Sequence, residues 1–225
     1  MFGFISRLVY PTRCLLCHEI QAVRGICDDC RAELPQLMVG KCAPPRAFSK
    51  CCAAFGYEGK VRDAIHRYKF RGATGNAAQF ADFMAASIVS DIDINFDVVT
   101  WVPLHWIRLR TRGYDQAQLL AEEVAKRLSI PVCKCLKKTR YTRPQSKTAS
   151  AHERVAHIAG AYGVIDCSAV AGKRILLIDD VLTTGATSSE CAYALRFAGA
   201  RDVCLAVIAR TQKAKKTLKK VQNSL

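Results

Sequence analysis

One stretch near the carboxyl end constrains the fold more than any other. Four branched apolar residues, Ile175 to Ile178, lead into the adjacent acids Asp179 and Asp180, and small hydroxylated residues around Gly185 follow. A short, continuous apolar run is typical of a strand that is buried on both faces of a parallel sheet. The polar residues after it predict a turn into a helix, so the stretch indicates a strand–turn–helix unit.

Other segments repeat this alternation of strand and helix. Apolar runs predict strands, and apolar residues at steps of three and four predict helices. The pattern indicates an α/β fold, a doubly wound parallel sheet with helices on both faces. Ligands bind such sheets at the carboxyl ends of the strands. The segments 103–113 and 179–187, which are expected to follow the strands at 97–102 and 174–178, are therefore the candidate ligand-binding segments. The predicted strands are 97–102, 130–133, 174–178 and 203–209, and the predicted helices are 60–70, 76–90, 114–128 and 188–197.

The turn from Thr183 to Thr187 suits a phosphate monoester. Backbone N–H groups and the dipole at the start of a helix favour an anion. Gly185 lets the backbone come close, and the threonine hydroxyls add donors. The G-x4-G-K-[ST] spacing of a P-loop is missing. Because Asp179 and Asp180 would repel a phosphate, we expect them to face hydroxyl donors beside it, as a sugar phosphate offers.

Two C-x2-C pairs stand near the amino end. Cys14 and Cys17 form the first pair, and Cys27 and Cys30 form the second. This spacing lets two tight turns present four thiolates to one tetrahedral Zn2+. A disulfide pair or a redox motif is the weaker interpretation in a reducing compartment. We therefore expect a structural zinc site.

The remaining cysteines give a weaker signal. Cysteines in apolar segments are expected to behave as small buried hydrophobes. Cys42, Cys51 and Cys52 lie in a proline-containing stretch without a C-x2-C partner; an imperfect second metal site is one interpretation, and plain linker thiols are the favoured one. The group in apolar segments comprises Cys133, Cys135, Cys167, Cys191 and Cys204.

The net charge of +15, from 34 basic and 19 acidic residues, is unevenly distributed. Two functional explanations compete: contact with nucleic acid, or a basic rim around a pocket for a highly charged phosphate ester. An ordinary solvated basic surface is the simplest alternative to both. For the basic tail, a solvated or nucleic-acid-contacting segment is favoured over a catalytic one. The basic clusters lie at 62–71, 108–112, 134–147 and 210–220.

Length and hydrophobic content limit the organisation of the chain. With 225 residues, 50% of them hydrophobic, it can bury one main core and has room for a small satellite. No run approaches the roughly 20 apolar residues of a membrane span, and the opening segment is too short for a secretory signal. We expect a cytoplasmic protein without membrane insertion, divided into a zinc module and linker (1–52), a main domain (53–212) and a basic tail (213–225).

Several motifs together resemble one known family. The segment IDDVLTTGAT, from Ile178 to Thr187, resembles the phosphoribosyl pyrophosphate (PRPP) signature of type I phosphoribosyltransferases. With the cysteine pairs before it, the chain from Cys14 to Arg210 resembles the ComF (ComFC/GntX-like) family, which joins an N-terminal zinc ribbon to such a domain. The supporting motifs are YKFRG at 68–72, VPLH at 102–105, RGYDQA at 112–117 and LRFAGA at 195–200.

This resemblance implies a site for PRPP and Mg2+. Asp179 and Asp180 would hold the ribose hydroxyls, and the turn after them would cradle the 5′-phosphate. Cations and metal would stabilise the departing pyrophosphate. The implied catalytic residues are Arg112 and Arg154. The implied PRPP-binding residues are Asp179, Asp180, Val181, Leu182, Thr183, Thr184, Gly185, Ala186 and Thr187, and the implied pyrophosphate-binding residues are Pro103, Leu104, His105, Arg110, Arg112 and Lys69.

A segment at 142–154 resembles the flexible loop of the family, which would close over PRPP and exclude water. Gln145 and Arg154 match the usual pattern, whereas Thr148 and His157 depart from it. Neither His105 nor His157 is expected to act as an acid or base. His105 is interpreted as a residue that the loop backbone places, and His157 as a hydrogen-bonded loop residue.

The cysteine region also departs from the family. Pro45 and Phe48 stand where many relatives complete further C-x2-C pairs, which leaves Cys42 and Cys51 as halves. The resemblance therefore implies one zinc ion rather than two.

Three classes of function stay open at this point. The first is an enzyme that transfers the phosphoribosyl group between PRPP and an unidentified acceptor, and the second is a non-catalytic module that binds PRPP or a nucleotide. The third, suggested by the family, is an accessory of DNA uptake in natural transformation that contacts single-stranded DNA or a helicase. The acceptor would meet residues of about 53–75, where aromatic side chains could stack on a base or belong to the core. These aromatics are Phe55, Tyr57, Tyr68 and Phe70.

Overall fold

A five-stranded sheet organises the chain. The computed structural model describes residues 12–21, 25–92, 95–139 and 160–211. Its elements are α1 (Asp28–Leu37), β1 (Met38–Lys41), β2 (Cys51–Gly56), α2 (Gly59–Phe70), α3 (Asn76–Asp91), β3 (Val98–Trp101), α4 (Trp106–Arg112), α5 (Gln116–Leu128), β4 (Leu136–Lys138), β5 (Tyr162–Val164), β6 (Arg174–Leu182), α6 (Ala186–Phe197) and β7 (Asp202–Arg210).

The main sheet has the strand order β1-β2-β7-β6-β3. Strands β2, β7, β6 and β3 run parallel, and β1 adds an antiparallel edge to β2. Strands β4 and β5 form a separate antiparallel pair. The predicted α/β class, with a mostly parallel sheet, is confirmed.

Two apolar layers cover the sheet, because alternate residues of each central strand point to opposite faces. On β6, Leu176 and Ile178 belong to a core shared with α2, α3 and α5, whereas Ile175 and Leu177 belong to a core shared with α6 and the β4–β5 pair. This alternation continues to the end of β6, where it directs Asp179 and Asp180 to opposite faces of the sheet.

The cysteine module packs on the α2 side of the sheet. Cys14, Leu15, Leu16, Ile26 and Cys30 are buried in the same core as α2 and α3. The Arg67 guanidinium on α2 donates to the carbonyl oxygens of Leu15 at 3.0 Å and Leu16 at 2.7 Å. The module is therefore fixed to the helix that also carries Lys69.

The prediction of linker thiols at Cys51 and Cys52 was wrong. Both residues begin β2 and are buried, one on each face of the sheet. The Sγ atom of Cys42 lies 2.9 Å from that of Cys51, and the backbone N–H of Cys42 donates to the Cys51 carbonyl. Their apolar, small side chains suit a buried strand, but the short proline-containing flank obscured the strand in the sequence.

Three other expectations needed correction. Strand β6 continues through Leu182, so Asp179 and Asp180 lie within the strand rather than after it. Segment 130–133 forms only an isolated bridge, between Val132 and Val99. Residues 106–112, within the segment expected to follow β3, form a short helix that was not among the predicted helices. Among the helices of the described residues, none combines the length and apolar character that crossing a membrane would need.

The contact of Arg67 with the cysteine module generates a stability prediction. Arg67→Met keeps an apolar stem of similar length but leaves the two buried carbonyl oxygens without this donor. We expect the free energy of unfolding to fall by about 1.5–3 kcal/mol, the range for a hydrogen bond to a charged group. Urea denaturation of the full chain measures the change.

Arg62→Met is the matched control, because Arg62 is exposed on the same helix. Its cost should stay within about 0.5 kcal/mol, as for ordinary surface substitutions. Equal losses in the two variants would contradict the assignment of Arg67 as an anchor.

Candidate functional site

The turn between β6 and α6 has the geometry of an anion site. Gly185 is the N-cap of α6, with φ of 73°, and it has no side chain to cap the helix. Thr183 and Thr184 are exposed, and the Thr184 hydroxyl accepts a long 3.4 Å hydrogen bond from the N–H of Ala186. The start of α6, which Gly185 leaves without a side-chain cap, lies next to two exposed hydroxyls, an arrangement that favours a phosphate.

Gly185 is required here for both conformation and space. A positive φ is strained for any residue with a Cβ atom. A Cβ atom on Gly185 would lie 3.1 Å from Cγ of Pro45 and 3.2 Å from Cδ1 of Leu182. Pro45, from the segment that precedes β2, therefore packs closely against this turn.

Asp180 is the centre of a polar network on the α2 side of the sheet. Its carboxylate lies 2.7 Å from Nζ of Lys69 and accepts a 2.8 Å hydrogen bond from Nε2 of Gln116 on α5. Oε1 of Gln116 in turn accepts from Arg112. Burial alone would lower the pKa of Lys69, but the charge of Asp180 outweighs it and the pKa is raised. Lys69 is therefore a cation held at the carboxyl end of β6.

Asp179 lies on the opposite side of the sheet. Burial, and then the charge of Asp179, raise the pKa of the Cys191 thiol on α6. The Asp179 carboxylate accepts a 2.8 Å hydrogen bond from the N–H of Asp180. Burial, followed by the charge of Asp180, raises the pKa of Asp179 to about 8. The end of the strand therefore combines one acid whose pKa is raised with a second acid that is paired with Lys69.

The segment after β3 is fixed by Asp115. Its Oδ2 accepts a 2.9 Å hydrogen bond from the N–H of Leu104, and its Oδ1 caps the start of α5. Pro103 and His105 are buried. Nδ1 of His105 accepts from the N–H of Ile107 at 3.3 Å, which makes His105 the cap of α4. This role agrees with a histidine that is placed by the backbone.

The arginines of α4 point in different directions. Arg110 is exposed and lies over the Trp106 ring, 5.3 Å from its centroid. Arg112 lies over the Phe70 ring at 4.9 Å. Arg108 lines the same cavity as Arg112, one helical turn away. Arg108 was not among the residues that the sequence predicted for the site. Its i, i+4 spacing from Arg112 is the signal that would have found it, had the segment been predicted as a helix.

A cavity of about 390 Å³ lies between the end of α2 and the inner face of α4. It reaches Lys69 and therefore adjoins the Asp180 network. Its lining combines three cations with apolar and hydroxyl side chains. The lining residues are Lys69, Phe70, Gly72, Ile107, Arg108, Thr111, Arg112 and Tyr114.

The two C-x2-C pairs come together at the amino end. The four Sγ atoms all lie within 4.8 Å of one another, and those of Cys17 and Cys27 are 3.6 Å apart. Tetrahedral Zn–S bonds of about 2.3 Å separate sulfur atoms by about 3.8 Å. Burial would raise the pKa of Cys14, but backbone donors, first the N–H of Cys27, lower it to about 6. The cluster can hold a metal ion such as zinc.

The structure brings together most of the predicted site residues. Asp179 to Thr187, Lys69 and the segment Pro103 to His105 all lie at or beside the carboxyl ends of the parallel strands. Arg154, with the rest of segment 142–154 and His157, lies outside the described residues, as does the tail at 213–225. Their predicted roles stay predictions.

Comparison with known proteins agrees with this arrangement. The sequence family of the phosphoribosyl transferase domain matches residues 115–224, which include β6, the turn between β6 and α6, and β7. Competence protein F of Haemophilus influenzae is 32% identical over 111 residues, which cover 48% of this chain and 48% of that protein. Competence protein ComFC of Streptococcus pneumoniae is 32% identical over 151 residues, which cover 67% of this chain and 64% of that protein.

A third relative matches more of the chain at lower identity. DNA utilization protein YhgH of Salmonella typhimurium is 26% identical over 232 residues, covering 91% of this chain and 99% of that protein. By contrast, the chain spans about half of the Haemophilus protein and just under two thirds of the Streptococcus protein. These relatives confirm the resemblance to the ComF family. The domain match confirms the resemblance to phosphoribosyl transferases.

The cysteine cluster generates a metal prediction. Cys14→Ser and Cys27→Ser each remove one thiolate from a four-ligand set, so we expect both variants to lose bound zinc. Elemental analysis of protein purified under reducing conditions measures the zinc content. Cys167→Ser, an exposed cysteine outside the cluster, should keep the parent's content of one zinc per chain. A parent without zinc, or full retention in the two cluster variants, would contradict the assignment.

Proposed function

Because this chain is a relative of the ComF competence proteins that carries a phosphoribosyl transferase domain, we propose that it binds PRPP with Mg2+. In this proposal the turn from Thr183 to Thr187 holds the 5′-phosphate, and the ribose hydroxyls face the acids at the end of β6. The pyrophosphate lies toward Pro103 to His105, near Lys69 and Arg112. The observation that carries the proposal is the uncapped start of α6 in the turn that follows β6, the strand whose end carries the Asp180–Lys69 pair.

The charges of the site support an anionic ligand. Burial raises the pKa of Asp179 and Asp180 is paired with Lys69, so the two acids oppose a nearby phosphate less than two free carboxylates would. Asp180 still offers oxygen lone pairs to a ribose hydroxyl. Carboxylate oxygens also fit Mg2+, which is hard and prefers oxygen ligands. When bound, Mg2+ neutralises charge on the pyrophosphate.

The same arrangement suits phosphoribosyl transfer. As the bond between C1 of the ribose and the pyrophosphate breaks, negative charge builds on the leaving oxygens. Lys69 and Arg112 are held in place before reaction, one by Asp180 and the other by Gln116 and Phe70. Preorganised cations of this kind stabilise developing charge without reorganising. A module that binds PRPP without reacting is the alternative, and it would release no pyrophosphate with any acceptor.

We further propose the setting of this activity. The cysteine cluster holds a structural Zn2+, which stabilises the N-terminal cysteine module against the phosphoribosyltransferase-like domain, whose sheet includes β1 and the whole of β2. The protein acts in the cytoplasm, where thiolates stay reduced. The names of the relatives support a role in DNA uptake or DNA utilisation.

Thr184 and Asp180 provide the test of PRPP binding. Thr184→Val removes one hydroxyl at nearly constant size, and we expect it to weaken PRPP and ribose 5-phosphate alike. Asp180→Asn removes a charged acceptor and should weaken both ligands, because both carry the ribose hydroxyls. Each loss should be about 1.5–3 kcal/mol, the range for hydrogen bonds that involve a charged group. Calorimetry with Mg2+ present measures the affinities.

Free pyrophosphate serves as the control ligand in the same experiment. Its affinity should not change in Thr184→Val and should fall in Arg112→Gln. Thermal unfolding of each variant checks that the fold is kept, which matters for Asp180 because its loss leaves Lys69 unpaired. Parent protein that does not bind PRPP, or variants that bind it as tightly as the parent, would refute the proposed site.

A second candidate function is binding of single-stranded nucleic acid. The observation that favours it is the exposed face of α4, where the Trp106 ring is 57% exposed and Arg110 lies over it. Exposed aromatics next to basic side chains are typical of surfaces on which unpaired bases stack. The high positive charge of the chain fits the same ligand.

Trp106→Ala tests this second candidate. Loss of one stacked base should weaken single-stranded DNA by about 1–3 kcal/mol. The parent should show a log–log salt slope of about −0.7 per phosphate contact, and the slope should be unchanged in the variant. Fluorescence anisotropy with labelled DNA measures both. Phe197→Ala, an aromatic on α6 that is 97% exposed, is the control and should have no effect. Equal effects of the two variants would assign the binding to charge alone.

A further inference from the structure

Two buried thiols outside the zinc cluster lie close enough to react with each other. The Sγ atom of Cys42 is 2.9 Å from that of Cys51, and the backbone N–H of Cys42 donates to the Cys51 carbonyl oxygen at 3.3 Å. The register of β1 and β2 pairs Lys41 with Cys52, so Cys42 and Cys51 are the next opposed residues. The backbone pairing at the edge of the sheet therefore holds the two thiols together.

The charges around this pair make the two thiols unequal. The hydrogen bond from Cys51 lowers the pKa of Cys42 most, burial opposes this, and the charge of Arg210 at the end of β7 lowers the pKa further. The charge of Asp91 also opposes the shift, with the smallest influence. Nε of Arg210 is buried and, within the described part of the chain, has no hydrogen-bond partner. The pKa of Cys51 is raised, first by the hydrogen bond with Cys42 and then by burial. Because the thiolate is the reactive form, Cys42 is the better nucleophile of the two.

We propose that Cys42 and Cys51 are a modification site, at which hydrogen peroxide converts the two thiols into a reversible disulfide bond. The Cys42 thiolate attacks one oxygen of the peroxide, the O–O bond breaks and hydroxide leaves, so that Cys42 becomes a sulfenic acid. The sulfur of Cys51 then attacks that of Cys42. The S–S bond forms, the S–O bond breaks, and the hydroxyl leaves as water with the proton of the Cys51 thiol. In total, two electrons pass from the thiols to the peroxide.

The position of the pair in the fold permits this reaction. To form the bond, the two sulfur atoms approach from 2.9 Å to about 2.05 Å. Cys42 is 5% exposed and directly follows β1, a four-residue strand at the edge of the sheet. Edge segments with few buried contacts open at low free-energy cost, which admits a molecule as small as hydrogen peroxide. Transient disulfides in cytosolic proteins are usually catalytic or redox-sensing, and a reversible bond at this pair belongs to the second kind.

The cross-link would close the segment 42–51, which carries Pro45. Pro45 is the residue whose Cγ atom would lie 3.1 Å from a Cβ atom on Gly185. The disulfide therefore forms next to the segment that packs against the turn between β6 and α6. It uses none of the side chains assigned to PRPP, and its test measures no ligand, so the inference stands or falls independently of the proposed function.

Peptide mapping of the full chain tests the inference. Folded protein is treated with hydrogen peroxide, and the remaining thiols are alkylated in denaturant before digestion. Trypsin cleaves after Lys41, Arg46, Lys50 and Lys60, so Cys42 and Cys51 fall in the separate peptides 42–46 and 51–60. We expect mass spectrometry to find these two peptides joined, with a mass two hydrogen atoms below their sum. Treatment with dithiothreitol should separate them again.

Serine variants separate the roles of the two thiols. In Cys51→Ser, the oxidation of Cys42 should stop at the sulfenic acid, which dimedone labels, whereas Cys51 in Cys42→Ser should stay unlabelled. Adding Arg210→Gln to Cys51→Ser should remove most of the labelling, because the thiolate loses its cationic neighbour. Adding Arg201→Gln, the same charge change at an exposed position before β7, should leave the labelling unchanged.

Cys52→Ser is the matched control for the cross-link. It removes a thiol that is 1% exposed, one residue from Cys51 and on the opposite face of the sheet, so the joined peptides should persist. The inference is overturned if peroxide treatment of the parent joins no such peptides, if the joined peptides survive Cys51→Ser, or if Cys52→Ser abolishes them. It is also overturned if dimedone labels Cys51 in Cys42→Ser as readily as Cys42 in Cys51→Ser. The result with the parent protein does not depend on the folding of any variant.

Discussion

The ion pair between Lys69 and Asp180 is the contact on which the organisation of the site depends. It joins the end of α2 to the end of β6, and Gln116 extends it to α5. Removing one partner from a buried pair is far more costly than the pair is worth, because the other charge is left desolvated. The helix, the strand and the third element are therefore held in one relative position before any ligand arrives. Such preorganisation lowers the cost of binding.

The alternation of a β-strand decides which acid takes part in this network. Adjacent residues of β6 point to opposite faces, so Asp180 meets Lys69 while Asp179 faces α6. Burial of Asp179, followed by the charge of Asp180, raises the pKa of Asp179, which disfavours a second negative charge beside the first. Two neighbouring acids therefore oppose an anion at this end of the strand less than two free carboxylates would.

The sequence predicted regular elements well where periodicity was strong and long-range contacts were not needed. Helices α2, α3, α5 and α6 and the apolar centre of β6 were all predicted. Strand β2 was not, because CCAAFG is short and follows a proline-rich segment, and its strand character comes from pairing with β7, which is distant in the sequence. Helix α4 was missed because its seven residues bury no apolar face. For the same reason Arg108, whose position depends on the helix, could not be selected from the sequence.

The N-terminal segment supports the site from two sides rather than standing apart from it. Arg67 ties the cysteine module to α2, two residues before Lys69. Pro45, between the buried pair Cys42 and Cys51, packs against the glycine of the anion-site turn. A displacement of the segment would therefore reach the ligand site through both contacts, since close-packed interiors transmit strain. A metal bound by the cysteine cluster would stabilise the module at one of these two contacts, and through α2 it would influence the position of Lys69 without contacting any ligand.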